Sequence, residues 1–206
     1  SAEVHVESIL SDESTMNFYN EMMDANGGVR AHYQGYDEWL KATPPERIAR
    51  KRAEADLAFH RVGITFAVYG EEAGKERLIP FDIIPRIIPS AEWKSMQKGM
   101  RQRVTALNMF LRDIYHDQEI LKAGKIPTEQ VMNNAQYRAE MQGVDVPGDV
   151  YAHIAGIDMV RAGEGECYVL EDNLRVPSGV SYMLEDRKMM MRLFPDLFAR
   201  HKVAPV

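Results

Sequence analysis

The chain of 206 residues is 45% hydrophobic with a formal net charge of −6, enough apolar content to bury a core as one domain or two small ones. The acidic balance argues against a general nucleic-acid surface, and the single cysteine, Cys167, excludes an internal disulfide and fits a reducing cytoplasm. No apolar run approaches the roughly 18 residues of a membrane span, and the amino terminus is acidic rather than a basic-then-apolar leader, so neither membrane insertion nor secretion is expected.

The first dozen residues read as disordered or loosely docked. Residues 13–23 can form a short helix stopped by Asn26-Gly27-Gly28, and 29–41 a second. Pro44 and Pro45 suit the start of a helix to about Val62, with Arg47, Arg50, Lys51 and Arg52 on a solvated face, and Gly63 ends it. Residues 64–69 read as a strand from their β-branched and aromatic content, 71–75 as a turn, and 76–84 as the returning strand of a hairpin. Pro80, Pro85 and Pro89 then enforce an extended segment or edge strand. Arg86 inside that apolar run needs an anion, either a structural Asp or a substrate carboxylate or phosphate.

Ser90 reads as the cap of a long helix to about Tyr115. Trp93, Met96, Met100, Val104, Leu107, Leu111 and Ile114 recur at steps of three and four and form a core face. His116-Asp117 follows, either a general base with its orienting acid or an ordinary surface helix end. Near the carboxy end, 182–198 read as a closing helical region in which Met189, Met190 and Met191 pack or face solvent without chemistry. No internal repeat, P-loop, zinc spacing or nucleophile elbow appears.

Between those helices, residues 150–161 and 166–173 flank the turn Ala162-Gly163-Glu164-Gly165 and predict a β-hairpin. If Arg161 faces Glu166, then Val169 faces Asp158, Glu171 faces Gly156 and Asn173 faces Ile154. Alternation puts Asp158, Glu171 and Asn173 on one face, with Asp172 and His153 on the other. Cys167 falls on this hairpin as a packing residue rather than a nucleophile. Asp158 and Glu171 become diagonal neighbours roughly 7 Å or less apart, and two carboxylates at that range repel unless a cation joins them.

Two acids and an amide oxygen are hard donors that suit Mg2+, which needs only one or two protein carboxylates when substrate phosphates complete its shell. Gly156 would leave room beside the backbone, while Arg175 and the amides near Ser178 and Gly179 would hold phosphoryl oxygens. The competing reading makes each acid a solvated strand-end residue.

An Asp on one strand and a Glu-x-Asn on the next resembles the metal-binding end of ATP-grasp ligases such as the D-Ala:D-Ala ligases. Over nearly the whole chain, "GITFAVYG", "PFDIIPRIIP", "LRDIYHDQEIL" and "YVLEDNLRVPSGVSYMLEDR" resemble the circularly permuted ATP-grasp type 2 family, a glutathionylspermidine synthase-like group formerly called a domain of unknown function. The resemblance implies an α+β fold of antiparallel β-hairpins packed with helices, a partial ATP-grasp fold. Residues 1–62 are then a helical amino-terminal region, and 63–206 an incomplete permuted domain that continues beyond Val206.

The same resemblance implies ATP and Mg2+ as cofactors. Asp158, Glu171 and Asn173 would be the metal ligands, Arg175, Ser178 and Gly179 the phosphate contacts, and Arg175 also the catalytic cation. The implied reaction joins a small-molecule or peptide carboxylate to an amine or thiol through an acyl phosphate. In that family the nucleotide-contacting lysines follow the metal motif, so this chain would carry the metal and phosphate half, need its own carboxy-terminal remainder as partner, and be inactive alone.

Two departures bear on the site. The D-Ala:D-Ala ligases place Pro-Gly soon after the Asn, whereas Leu174-Arg175-Val176 intervene here before Pro177-Ser178-Gly179. They also carry an Arg two residues before the Asp, where this chain has Gly156, so Arg175 is the nearest cation. Two other classes stay open. One is a non-catalytic interaction domain in which Glu171 and Asn173 merely pair with Arg175 or Arg187. The other is a nucleotide-dependent phosphoryl enzyme that forms no amide.

Overall fold

The structure, a computed structural model, describes residues 19–63, 65–67, 76–78 and 81–206. The expectations for the first dozen residues, for the turn at 71–75 and for Pro80 lie outside the described residues. The described elements are helices and two antiparallel two-stranded sheets, an α+β fold. In chain order they are α1 (Gln34–Ala42), α2 (Pro45–Val62), β1 (Thr65–Ala67), β2 (Glu76–Leu78), α3 (Ser90–Tyr115), α4 (Glu119–Lys122), α5 (Thr128–Met132), β3 (Gly156–Gly163), β4 (Glu166–Asn173), α6 (Gly179–Leu193) and α7 (Pro195–Arg200).

The chain divides into two compact units. One comprises the described residues of Ser1–Ile88 with Met159–Tyr168 and Tyr182–Val206, the other Pro89–Asp158 with Val169–Ser181.

In the first unit, the described part of the helix expected at 13–23 is not helical: Met23 bridges Val29 in antiparallel fashion. The cause is local, because Asn20 Oδ1 accepts from the Met22 and Met23 amides and Asp24 Oδ1 from those of Asn26 and Gly28. Such side-chain acceptors compete directly with the helix ladder. The bridge also delays the next helix, which begins as a 3-10 turn at Ala31–Tyr33 and becomes α1 at Gln34. Pro45 opens α2, and Gly63 closes it in the left-handed conformation, φ 69°, as its missing Cβ allows.

The first hairpin pairs Thr65 with Leu78, Phe66 with Arg77 and Ala67 with Glu76. The expected return strand does not continue to 84, since Phe81–Ile84 adopt a bend closed by the Ile84 amide on Asp82 Oδ1.

The first unit's core is Ala55 and Phe59 of α2, Ile83, Met189 and Leu193 of α6, and Phe194, with Trp39, Ile48, Phe81, Met190 and Phe198 packed against it. Of the three methionines, Met189 is buried and Met191 exposed. Lys51 departs from the solvated face: its ammonium donates to the Leu193 carbonyl and sits 5.1 Å from the Phe194 ring centre. The closing helix breaks at Phe194, φ −128°, since a residue before proline is pushed out of the helical region.

Arg86 does find a structural acid, a Glu rather than an Asp: Glu21 Oε1 lies 2.7 Å from Arg86 and 3.0 Å from Arg161. Tyr33 fixes the same proline-rich segment, donating to the Pro85 carbonyl and accepting from the Ile87 amide. Tyr36 donates to the Ile83 carbonyl, and burial pushes its phenol up to about 12.

Asp186 on α6 has a buried carboxylate oxygen with no hydrogen-bond partner among the described residues, and desolvation raises its pKa. An acid whose folded pKa lies above its unfolded value stabilises the fold below that unfolded value, and loses this contribution as pH rises through the folded pKa. Asp186→Asn is therefore expected to raise Tm at pH 7 by about 1–2 °C, for roughly 0.5 kcal/mol once solvent screening of this partly exposed group is allowed for. The advantage should shrink towards pH 4 in a pair of melting curves.

In the second unit, α3 has the expected span, but Ser90 is its first helical residue and no side chain among the described residues caps it. Its apolar stripe is half-buried rather than a closed core face: only Ile114 and Tyr115 are fully covered, and Trp93 is 43% exposed. Asp113 caps the next turn, its two oxygens accepting from the Glu119 and Ile120 amides. His116 lies 3.1 Å from Asp145 and 3.0 Å from the Arg112 carbonyl. Its carboxylate neighbour is thus Asp145 rather than Asp117, and both ring nitrogens serve the helix end. Among the described residues no helix is long and apolar enough to cross a membrane.

Candidate functional site

β4 has the predicted limits, Glu166–Asn173, whereas β3 begins at Gly156 rather than at residue 150. The delay has a cause on α3: Asn108 Oδ1 accepts from the amides of Tyr151 at 2.8 Å and Ala152 at 3.0 Å. Donors committed to a helix side chain cannot join a ladder. Ile154 and His153 therefore precede the hairpin instead of sitting on its faces.

The turn is also tighter than expected. Only Glu164 and Gly165 separate the strands, with Gly165 at φ 73°. Register follows turn length, so the pairing shifts. A Cβ built on Gly156 would stand 3.4 Å from Asn173 Cβ, so Asn173 takes the place across from Gly156 that the sequence reading assigned to Glu171. Two residues inward from that pair, Asp158 and Glu171 come opposite each other rather than diagonal, and both are exposed.

Asn173 Nδ2 donates to Glu171 Oε1 at 3.0 Å, placing the two side chains together, with the amide oxygen of Asn173 left for another partner. Asp172 points the other way. Arg103 of α3 grips it with Nε at 2.7 and 2.8 Å from its two oxygens and Nη2 at 2.6 Å. This hydrogen bonding raises the Arg103 pKa above its ordinary value.

Among the described residues neither Asp158 nor Glu171 is paired with a cation. Arg175, also without an ion-pair partner among them, is exposed, and Arg187 donates to the Ala204 carbonyl. The pairing of Glu171 with either arginine, on which the interaction-domain reading relied, does not occur among the described residues.

The residues present fit a hard divalent cation. Asp158, Glu171 and Asn173 offer oxygen donors, but the room expected beside Gly156 is taken by Pro177, whose Cβ would stand 2.8 Å from a Cβ built there. Among the described residues no group of three His, Cys, Asp or Glu gathers into a cage, and Mg2+ needs none when phosphates complete its shell.

Ser178 and Gly179 gain a setting that the sequence reading lacked. Gly179 opens the 15-residue α6 and Ser178 immediately precedes it, so helix-start amides, which have no acceptor in a preceding turn, lie just after Arg175. Between them Val176 has φ 51° and is 85% exposed, a conformation that costs a β-branched residue on the order of 1–3 kcal/mol.

Sequence reasoning missed Arg103 and Asn108. A usable signal for Arg103 was its own helix: Gly99, Met100, Ala106 and Leu107 occupy the positions three and four residues away, so no local acid answers it.

Comparison with known proteins adds to this geometry. A family profile described as "A circularly permuted ATPgrasp" matches residues 85–206. An uncharacterized protein of Synechocystis sp. is 44% identical over 190 residues, covering 92% of this chain and 40% of its own length. An uncharacterized protein of Mycobacterium leprae is 44% identical over 189 residues, 91% of this chain and 33% of its own length. A Frankia casuarinae protein named "Putative glutamate--cysteine ligase 2-2" is 38% identical over 183 residues, 87% of this chain and 20% of its own length. The chain thus spans well under half the length of each.

Proposed function

We propose, from the premise that this chain belongs to the circularly permuted ATP-grasp family, that it is the metal- and phosphate-holding part of an ATP-dependent ligase joining a carboxylate to an amine or thiol. The observation that carries the reading is the base of the hairpin, where Asp158, Glu171 and Asn173 offer hard oxygen donors on one face, with Asn173 Nδ2 on Glu171 Oε1. The relative named as a glutamate–cysteine ligase favours carboxylate–amine ligation over phosphoryl transfer alone.

In this proposal the domain occupies residues 63–206, follows a helical region at 1–62 and continues into a carboxy-terminal remainder, its intramolecular partner. The substrates are a small-molecule or peptide carboxylate and an amine, in a reducing cytoplasm. Asp158, Glu171 and Asn173 hold Mg2+, which when bound offsets charge on the transferring phosphate. Arg175 meets the phosphate oxygens and steadies them as charge moves onto the leaving diphosphate. The Ser178 and Gly179 amides, at the positive end of α6, hold a second set of oxygens. The carboxylate leaves this step as an acyl phosphate, from which the amine displaces phosphate.

The test is phosphate release by the full-length protein with Mg2+ and ATP. Release that needs acid and amine together supports ligation. Equal release with water alone points instead to simple phosphoryl hydrolysis, and no Mg2+·ATP-dependent rise in Tm of the intact protein would sink the ligase reading.

A further inference from the structure

We propose that Arg103 is a positioning residue for the metal corner: by clamping Asp172 it sets the roll of β4, so that Glu171 and Asn173 present their oxygens on one side. The inference rests on the cation reading of Asp158, Glu171 and Asn173 given above.

Successive side chains leave a strand on opposite faces, so Asp172 is the only handle between Glu171 and Asn173 from which both can be held at once without touching either. Arg103 uses that handle in the most directional way available. Its planar guanidinium meets both carboxylate oxygens, within 2.6–2.8 Å, and such a fork fixes orientation as well as distance.

Exposed ion pairs usually contribute little; Arg103 is 45% exposed, but the Asp172 side chain is only 14% exposed and the contact is two-pronged. A second anchor on the same helix strengthens the case. Asn108, five residues on, holds the Tyr151 and Ala152 amides just ahead of β3, and its own Nδ2 is fixed on the Val104 carbonyl at 3.1 Å. One helix therefore holds the approach to the Asp158 strand and the back of the Glu171 strand. Partners behind metal ligands commonly matter nearly as much as the ligands themselves.

The experiment is a Mg2+ titration of the full-length protein at fixed ATP, read by thermal shift, together with Mn2+ binding followed by electron paramagnetic resonance. Arg103→Ala is expected to raise the half-saturating metal concentration about tenfold, with the metal-free Tm within a few degrees of wild type. Arg103→Lys, which keeps charge and length but loses the fork, is expected to raise it about threefold and serves if the alanine variant does not fold. Exchanging the pair, Arg103→Asp with Asp172→Arg, is expected to return it to within about threefold of wild type.

A Tm loss with half-saturation within twofold of wild type in both single variants would make the clamp a mere strut and overturn the inference, while Glu171→Ala still abolishing metal binding would leave the cation reading standing. If Glu171→Ala also binds metal normally, the cation reading fails and this inference falls with it.

Discussion

Glu171→Ala is expected to remove the Mg2+·ATP-dependent rise in melting temperature of the full-length protein. Glu171 lies opposite Asp158 at the base of the hairpin, held by the Asn173 amide and by no cation among the described residues. Two facing carboxylates repel, weakly here because both are exposed to water and screened by it. Loss of one therefore acts in two directions. The metal-free protein keeps its Tm or gains slightly, because a like-charge contact disappears, while the ligand-linked gain vanishes. A ligand at 100 times its Kd adds about 2.7 kcal/mol, so the missing shift amounts to roughly 5–10 °C for a domain of this size. A structural role predicts the reverse pattern, a lower metal-free Tm with the shift intact, and that result would overturn the assignment.

The largest stability effect is expected at Phe59→Ala. Phe59 is 1% exposed, tilts against Phe81 with ring centres 5.0 Å apart, and joins Ala55, Ile83, Met189, Leu193 and Phe194 in one cluster. Truncation removes apolar contact and leaves a cavity that rigid aromatic neighbours refill poorly, which typically costs about 3–5 kcal/mol. The urea midpoint should fall accordingly with little change in slope. A loss under about 1 kcal/mol would show that this cluster is not the core of its unit.

Much of both the fold and the candidate site was legible along the chain. Pro45 and Gly63 mark the ends of α2, and the apolar run passing into acid and amide over 166–173 marks β4. Period two alone separated Asp172 from Glu171 and Asn173, as the Arg103 contact bears out. Where reading failed, a competitor outside the local pattern was responsible. Asn20 and Asp24 took amides from the expected first helix, and Asn108 took those expected to extend β3. Lys51 looked like one of four solvated cations until the Leu193 carbonyl claimed it.

The family, the fold class and the oxygen-rich face of one strand were determined by the sequence itself, because caps, turns and alternation depend on neighbours within a few residues. The tertiary structure decided which residues stand across from one another and what holds them. Gly156 meets Asn173, Asp158 meets Glu171, and Arg103 reaches Asp172 from 69 positions away. A two-residue turn sets the first two of these and a folded-back helix the third. Neither leaves a periodic trace, since register and long-range pairing depend on the free energy of the closed chain rather than on any one segment's preference.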